Sequence, residues 1–223
     1  ANGHEQNSVY GQTDFQASQY IGFGQLTWHK EIQQRHQLLS GIAMRYTYYD
    51  DNTTATSVGD SNTLVNAASK TVLPGVFVQD EITLNAQNKV LLGLRYDYNQ
   101  AHGNILSPRI NYKWSSFIQK HIVRMSVGNG YRVANIFTED HAALTGARTV
   151  EFVGEINPET SWNANLNFIK KIFTKNSAYF GIDASLFYTY FNNQIIADYD
   201  TDPNKIIYKN LSEHSVSQGI SVN

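Results

Sequence analysis

The stretch "KVLLGLRYDYNQ", Lys89 to Gln100, decides how this chain folds. Side chains alternate across a strand, so Val90, Leu92, Leu94, Tyr96 and Tyr98 share one face. Leu91, Gly93, Arg95, Asp97 and Asn99 share the other. The first face is apolar and ends in a tyrosine pair; the second carries a cation and a carboxylate. A helical period would scatter both sets, so the stretch reads as a long strand whose faces meet different surroundings.

The same alternation recurs along the chain. In "QLLSGIAMRYTYYD" Leu38, Ile42, Met44, Tyr46 and Tyr48 share a face, with Arg45 and Thr47 opposite. In "AYFGIDASLFYTYF" Phe180, Ile182, Ala184, Leu186, Tyr188 and Tyr190 line up against Asp183, Ser185 and Thr189. Further strands are expected over Tyr20–Lys30, Pro74–Leu84, Leu106–Trp114, Ile122–Gly130, Pro158–Lys171 and a tail from about Ile206. The result is an all-β, antiparallel up-and-down meander of about nine long strands.

Connections alternate in length. Short turns are expected at Lys30–Arg35, Asn85–Asn88, Ser115–Lys120 and Phe173–Ser177. Longer segments are expected at Asp50–Leu73, Gln100–Ile105, Tyr131–Asn157 and Asn192–Lys205. Long strands, alternating loop lengths and apolar faces that end in Tyr or Trp describe a transmembrane β-barrel better than a soluble β-sandwich. Lipid would then meet the Tyr96 side and water the Arg95 side.

Composition is compatible with this reading. The 223 residues are 41% hydrophobic, 16% charged and 13% aromatic, with a formal charge of −2, so no nucleic-acid surface is indicated. Cysteine is absent, which excludes disulfides and thiolate metal sites. No apolar run approaches the roughly 20 residues of a membrane helix, but a barrel crosses with strands.

Two further stretches carry a family resemblance. "GNGYRVANIFTED" (Gly128–Asp140) leaves one strand, and "INPETSWNANLNF" (Ile156–Phe168) opens the next. Together with "VFVQDEITL" and "LGLRYDY…HGNILSPRINYKW", this resembles the barrel of TonB-dependent outer-membrane receptors from about Leu38 onward. The structural motif residues are Gly130, Tyr131, Arg132, Asn157, Pro158 and Glu159. Arg132 and Glu159 either pair across the loop mouth or stand solvated at the rim. Gly128 and Gly130 are expected where the strand end bends, and Pro158 at a strand's first residue.

The resemblance implies residence in the outer membrane of a Gram-negative bacterium and uptake of a scarce small-molecule ligand. Siderophore-iron, a corrinoid and an oligosaccharide all fit it. It also implies a TonB complex as partner, reached through a plug region that this chain does not supply. Family barrels have about 22 strands, so residues 19–223 are expected to be a partial barrel and residues 1–18 an N-terminal loop or partly ordered segment. A self-contained small barrel, serving as adhesin or pore, is the main alternative, and a soluble sandwich binding module the third.

Chemistry-bearing clusters are sparse. The ligand-contact candidates in the long loops are Arg132, His141, Arg148 and Glu151. "DYDTD" places Asp198, Asp200 and Asp202 like the first ligands of a calcium loop, but Pro203, Asn204 and Lys209 break the pattern, and a solvated acidic loop is the expectation. No metal site or cofactor is expected. Asp50, Asp51, Asp140 and His141 are the only candidates for a rim hydrolase, and nothing in the sequence makes them converge, so no enzyme is expected.

Overall fold

The computed structural model describes residues 16–51, 57–58, 65–133, 148–154, 156–173 and 179–223. Its strands are β1 (Ala17–Ile32), β2 (His36–Asp51), β3 (Ser57–Val58), β4 (Val65–Asn66), β5 (Ser69–Thr83), β6 (Asn88–Asn99) and β7 (Gly103–Ser115). They continue as β8 (His121–Arg132), β9 (Thr149–Phe152), β10 (Glu159–Phe173), β11 (Tyr179–Phe191), β12 (Ile195–Asp198), β13 (Lys205–Asn210) and β14 (Ser215–Val222).

Nine of them form one antiparallel sheet in the order β1-β2-β5-β6-β7-β8-β10-β11-β14. Most wall strands run 12 to 16 residues, longer than the about 9–11 that a tilted strand needs to cross hydrocarbon. No helix long and apolar enough to cross a membrane occurs among the described residues.

Register turns the alternation into two continuous surfaces. Leu26, Ile42, Val76, Tyr96 and Leu106 are successive partners across five strands. All remain exposed, from 39% for Tyr96 to 69% for Leu26. On the opposite face the row runs Gln79, Gly93, Arg109, Gly128, Asn163, Thr189, Ser217. A sandwich would bury Leu92, Leu94 and Tyr96 under a second sheet, yet these stay 45%, 44% and 39% exposed. The apolar face is therefore the outer one, and the polar face lines the lumen.

The polar face is knitted by side chains. Arg95 grips Asp97 through Nε and Nη2 at 2.6 and 2.7 Å. Arg109 reaches across Gly93 to donate to Gln79 Oε1; a Cβ on Gly93 would stand 2.8 Å from its Nε. Glycine in this row makes room for the neighbouring side chain. At Gly130 a Cβ would likewise lie 2.7 Å from Ser161 Oγ, and neither Gly128 nor Gly130 has positive φ.

Two connections depart from expectation. The segment after β6 is a tight turn, because Asn99 Oδ1 accepts from the amides of Ala101 and His102 at 2.9 and 3.2 Å and Gly103 takes φ +74. The strand expected from Ile206 is not a wall strand. β12 and β13 pair as a hairpin within the last long loop, and the wall resumes at Ser215. The local alternation "KIIYKN" was legible, but its partner was not, since β13 pairs in parallel with β9, over 50 residues earlier.

Candidate ligand-facing rim and lumen

The connections β1–β2, β5–β6, β7–β8 and β10–β11 lie at one end of the wall, here the short-turn end; the long loops lie at the other, together with the tight β6–β7 turn. At the long-loop end β12, β13 and β9 build a three-stranded sheet that joins two neighbouring loops. Its centre is Ile206 and Tyr208, packed by Val150, Ile156, Ile195 and Ala197. This is the one cluster of buried apolar side chains among the described residues. A sheet with a single covered face needs such a patch to hold together away from lipid.

Polar contacts tie this platform to the wall. Arg132 Nε donates to Glu159 Oε2 at 2.6 Å, closing the mouth of the loop between β8 and β10. Glu159 is 5% exposed, and its other oxygen accepts from the Ile195 amide at 2.9 Å. One carboxylate thus holds both loops. Asn210 adds a second clamp: its Oδ1 accepts from Asn157 N at 2.7 Å, and its Nδ2 donates to the carbonyls of Asn157 and Asn193.

The remaining sequence-predicted residues distribute over the same platform. Arg148 Nη1 donates to the Tyr199 carbonyl at 2.9 Å. Glu151 accepts from Lys205 Nζ at 2.8 Å, and this carboxylate raises the lysine's pKa. Asp198 accepts from Thr201 Oγ1 and from the amides of Asp200 and Thr201. These hydrogen bonds, with Lys209 Nζ 3.9 Å away, hold its carboxyl below the ordinary aspartate range. Asp202 Oδ1 accepts from Asn204 N at 2.9 Å. His141 lies outside the described residues, as does Asp140 of the rim-hydrolase pattern.

So the structure gathers Arg132, Arg148, Glu151, Asn157, Glu159 and Asp198 at one end of the wall, and engages each in holding the loops. Among the described residues no group of three or more His, Cys, Asp or Glu side chains is placed to hold a metal ion. Sequence reasoning missed Lys205, Asn210 and the Ile206–Tyr208 core. An available signal was the Asx turn in "DYDTDPN" between two apolar alternations, which marks a hairpin.

A second concavity lies on the lumen face toward the short turns. It encloses about 760 Å³ and is lined by Glu81, Lys89, Asn111, Lys113, Arg124 and Asn167, among others. Lys89 Nζ meets Glu81 at 2.6 Å, and Arg124 donates to Asn167, which in turn donates to Asp183. Such a surface suits a polar, water-filled or protein-filled interior.

A meander with an apolar exterior, a polar interior and structured loops at one end defines the wall of a transmembrane β-barrel. The family model described as TonB dependent receptor-like, beta-barrel matches residues 1–223, and the chain belongs to that family. The match includes the stretch before Leu38, where the sequence resemblance does not reach.

Solved structures with the same fold include the siderophore receptor PirA from Pseudomonas aeruginosa, 16% identical with a TM-score of 0.65, over 94% of this chain and 37% of that one. The ferric enterobactin receptor PfeA from Pseudomonas aeruginosa gives 16% identity and a TM-score of 0.68, over 95% and 34%. A copper transporter, OprC, gives 14% identity and a TM-score of 0.68, over 94% and 35%. The chain therefore spans about a third of the length of these relatives. No curated protein sequence matches it significantly.

Proposed function

We propose that this chain forms part of the wall and external loops of an outer-membrane transporter that takes up a scarce small-molecule ligand, driven through TonB. The observation that carries the reading is the division of the nine-stranded sheet into an apolar outer and a mostly polar inner face, with the platform at the long-loop end. Siderophore, enterobactin and copper relatives on the same fold support a metal or metal-chelate cargo, while a corrinoid or oligosaccharide fits the family as well. Arg132, His141, Arg148 and Glu151 are the proposed contacts; TonB acts through a plug contributed by the longer protein. The role is transport, with no catalytic group assigned.

A self-contained small barrel is less well supported. Adjacent strands alternate in direction, so the edge strands β1 and β14 of this nine-stranded sheet run the same way. Closing them on each other requires a parallel seam, whereas an odd number of further strands permits an antiparallel one. The test is single cysteines at Leu94 and Arg95 in the full-length protein in its own membrane. A water-soluble thiol reagent is expected to label position 95 and a lipid-phase probe position 94. Equal aqueous labelling of both positions defeats the proposal.

A further inference from the structure

The apolar face carries few ionisable groups, and they sit near its two ends. At the short-turn end, two histidines occupy equivalent places as the first residues of β2 and β8. His36 has a carboxylate partner: its Nδ1 lies 2.7 Å from Asp80 Oδ2. Among the described residues no carboxylate contacts the His121 ring. Its register partner across the sheet is Lys170, and its ring stacks on Phe168 with centroids 6.2 Å apart.

We propose that Lys170 and His121 form a binding site for the phosphate of an anionic phospholipid in the periplasmic leaflet. The inference rests on the proposed function, in which the long loops face outward and the opposite end of the wall faces the periplasm.

Four features of this corner support it. Directly opposed residues have Cβ atoms about 5 Å apart, so an ammonium and an imidazole N–H reach one phosphate together. One pleat further into the membrane the outer row runs Trp114, Val123, Phe168, Ala184, Val222. Phe180, opposite Ile172, lies one pleat beyond Lys170 on the same face, so the two polar groups stand within the aromatic belt that marks the headgroup boundary, with acyl chains over the Trp114–Phe168 row. Charge is also unbalanced here. Among the described wall residues, the carboxylates on the outer face are Asp50, at the long-loop end, and Asp80. Asp80 belongs to β5, three strands from β8, or about 14 Å across the sheet. Finally, the adjoining turn exposes Phe117 and Ile118 at 82% and 67%, an apolar tip where a turn in water would be polar.

The test is native mass spectrometry of the full-length protein titrated with phosphatidylglycerol or phosphatidylcholine of identical chains. A lysine near an anionic headgroup confers about a fivefold preference, so wild type is expected to favour phosphatidylglycerol by at least that factor. Lys170→Gln is expected to lose about fivefold of it, His121→Gln to lose part, and Lys170→Arg to retain it. Inorganic phosphate at equal concentration is expected not to compete; equal competition would make this a free-anion site and overturn the lipid assignment. Equal binding of the two lipids by wild type, or unchanged preference in Lys170→Gln, overturns it as well. A protein that stays soluble without detergent overturns the membrane-barrel reading itself, and is told apart because neither lipid then binds.

Discussion

Gly75 and Asp97 face each other across β5 and β6 on the lumen surface, and a Cβ on Gly75 would collide with Asp97 Oδ1. The Arg95–Asp97 fork occupies the space that any larger residue would take. Gly75 does not have positive φ, so its backbone accepts alanine and only the side-chain collision opposes it.

Gly75→Ala is therefore expected to destabilise the full-length protein by about 1–3 kcal/mol. The reduced entropy of the unfolded chain, worth about 0.4–1 kcal/mol in the opposite direction, offsets only part of this. In an Asp97→Ala background the collision is gone, and the same substitution should become neutral or stabilising. Urea unfolding in lipid vesicles, read as a double-mutant cycle, measures both. An equal cost in both backgrounds would place the strain elsewhere.

Glu159 holds Arg132 and the Ile195 amide with separate oxygens. Removing a hydrogen bond to a charged group costs about 1.5–3 kcal/mol, so Glu159→Ala should speed amide exchange at residues 195–198 by about tenfold to a hundredfold. Glu159→Gln keeps an acceptor for Ile195 and should show a smaller effect. Exchange measured by mass spectrometry on the full-length protein decides it, with the wall strand β7 as the region expected not to change.

The wall was legible in the sequence because each strand meets lipid on one face and a polar interior on the other. The alternation in "KVLLGLRYDYNQ" survives as the pairing of Leu92 with Ile110 and of Gly93 with Arg109. Even the Arg132–Glu159 pair could be named, since a loop mouth brings its two strand ends together. The platform could not be. Its parallel ladder of β13 with β9 joins Tyr208 to Phe152, a non-local contact with no short-range period. Likewise, nothing in the sequence reveals that Asn210 bridges Asn157 and Asn193.

The assignment of faces makes an asymmetric prediction about charge. Val76 lies on the apolar row, 50% exposed, and Thr47 on the lumen row beside Ile21 and Thr71. Arginine on the lipid face near the midplane costs about 2–4 kcal/mol, whereas lumen substitutions chiefly tune selectivity. Val76→Arg should accordingly lower the urea midpoint in vesicles, and Thr47→Arg should leave it nearly unchanged. Comparable losses from the two would mean that the faces are assigned the wrong way round.

The last prediction concerns the acid response of the platform. Asp198 accepts hydrogen bonds from Thr201 and Asp200 and stands near Lys209, all of which favour its ionised form, so its pKa is lowered in the fold. A carboxyl lowered on folding stabilises the structure above its unfolded pKa, and that contribution disappears as pH falls through the folded value. The β12–β13 hairpin should therefore hold at neutral pH and loosen only below about pH 4, the ordinary aspartate range. Asp198→Asn keeps an acceptor but cannot titrate, so it should loosen the hairpin at neutral pH and flatten its acid response. Amide exchange of residues 195–210, corrected for the intrinsic rate at each pH, reads this directly. An acid response equal in wild type and Asp198→Asn would show that Asp198 does not carry it.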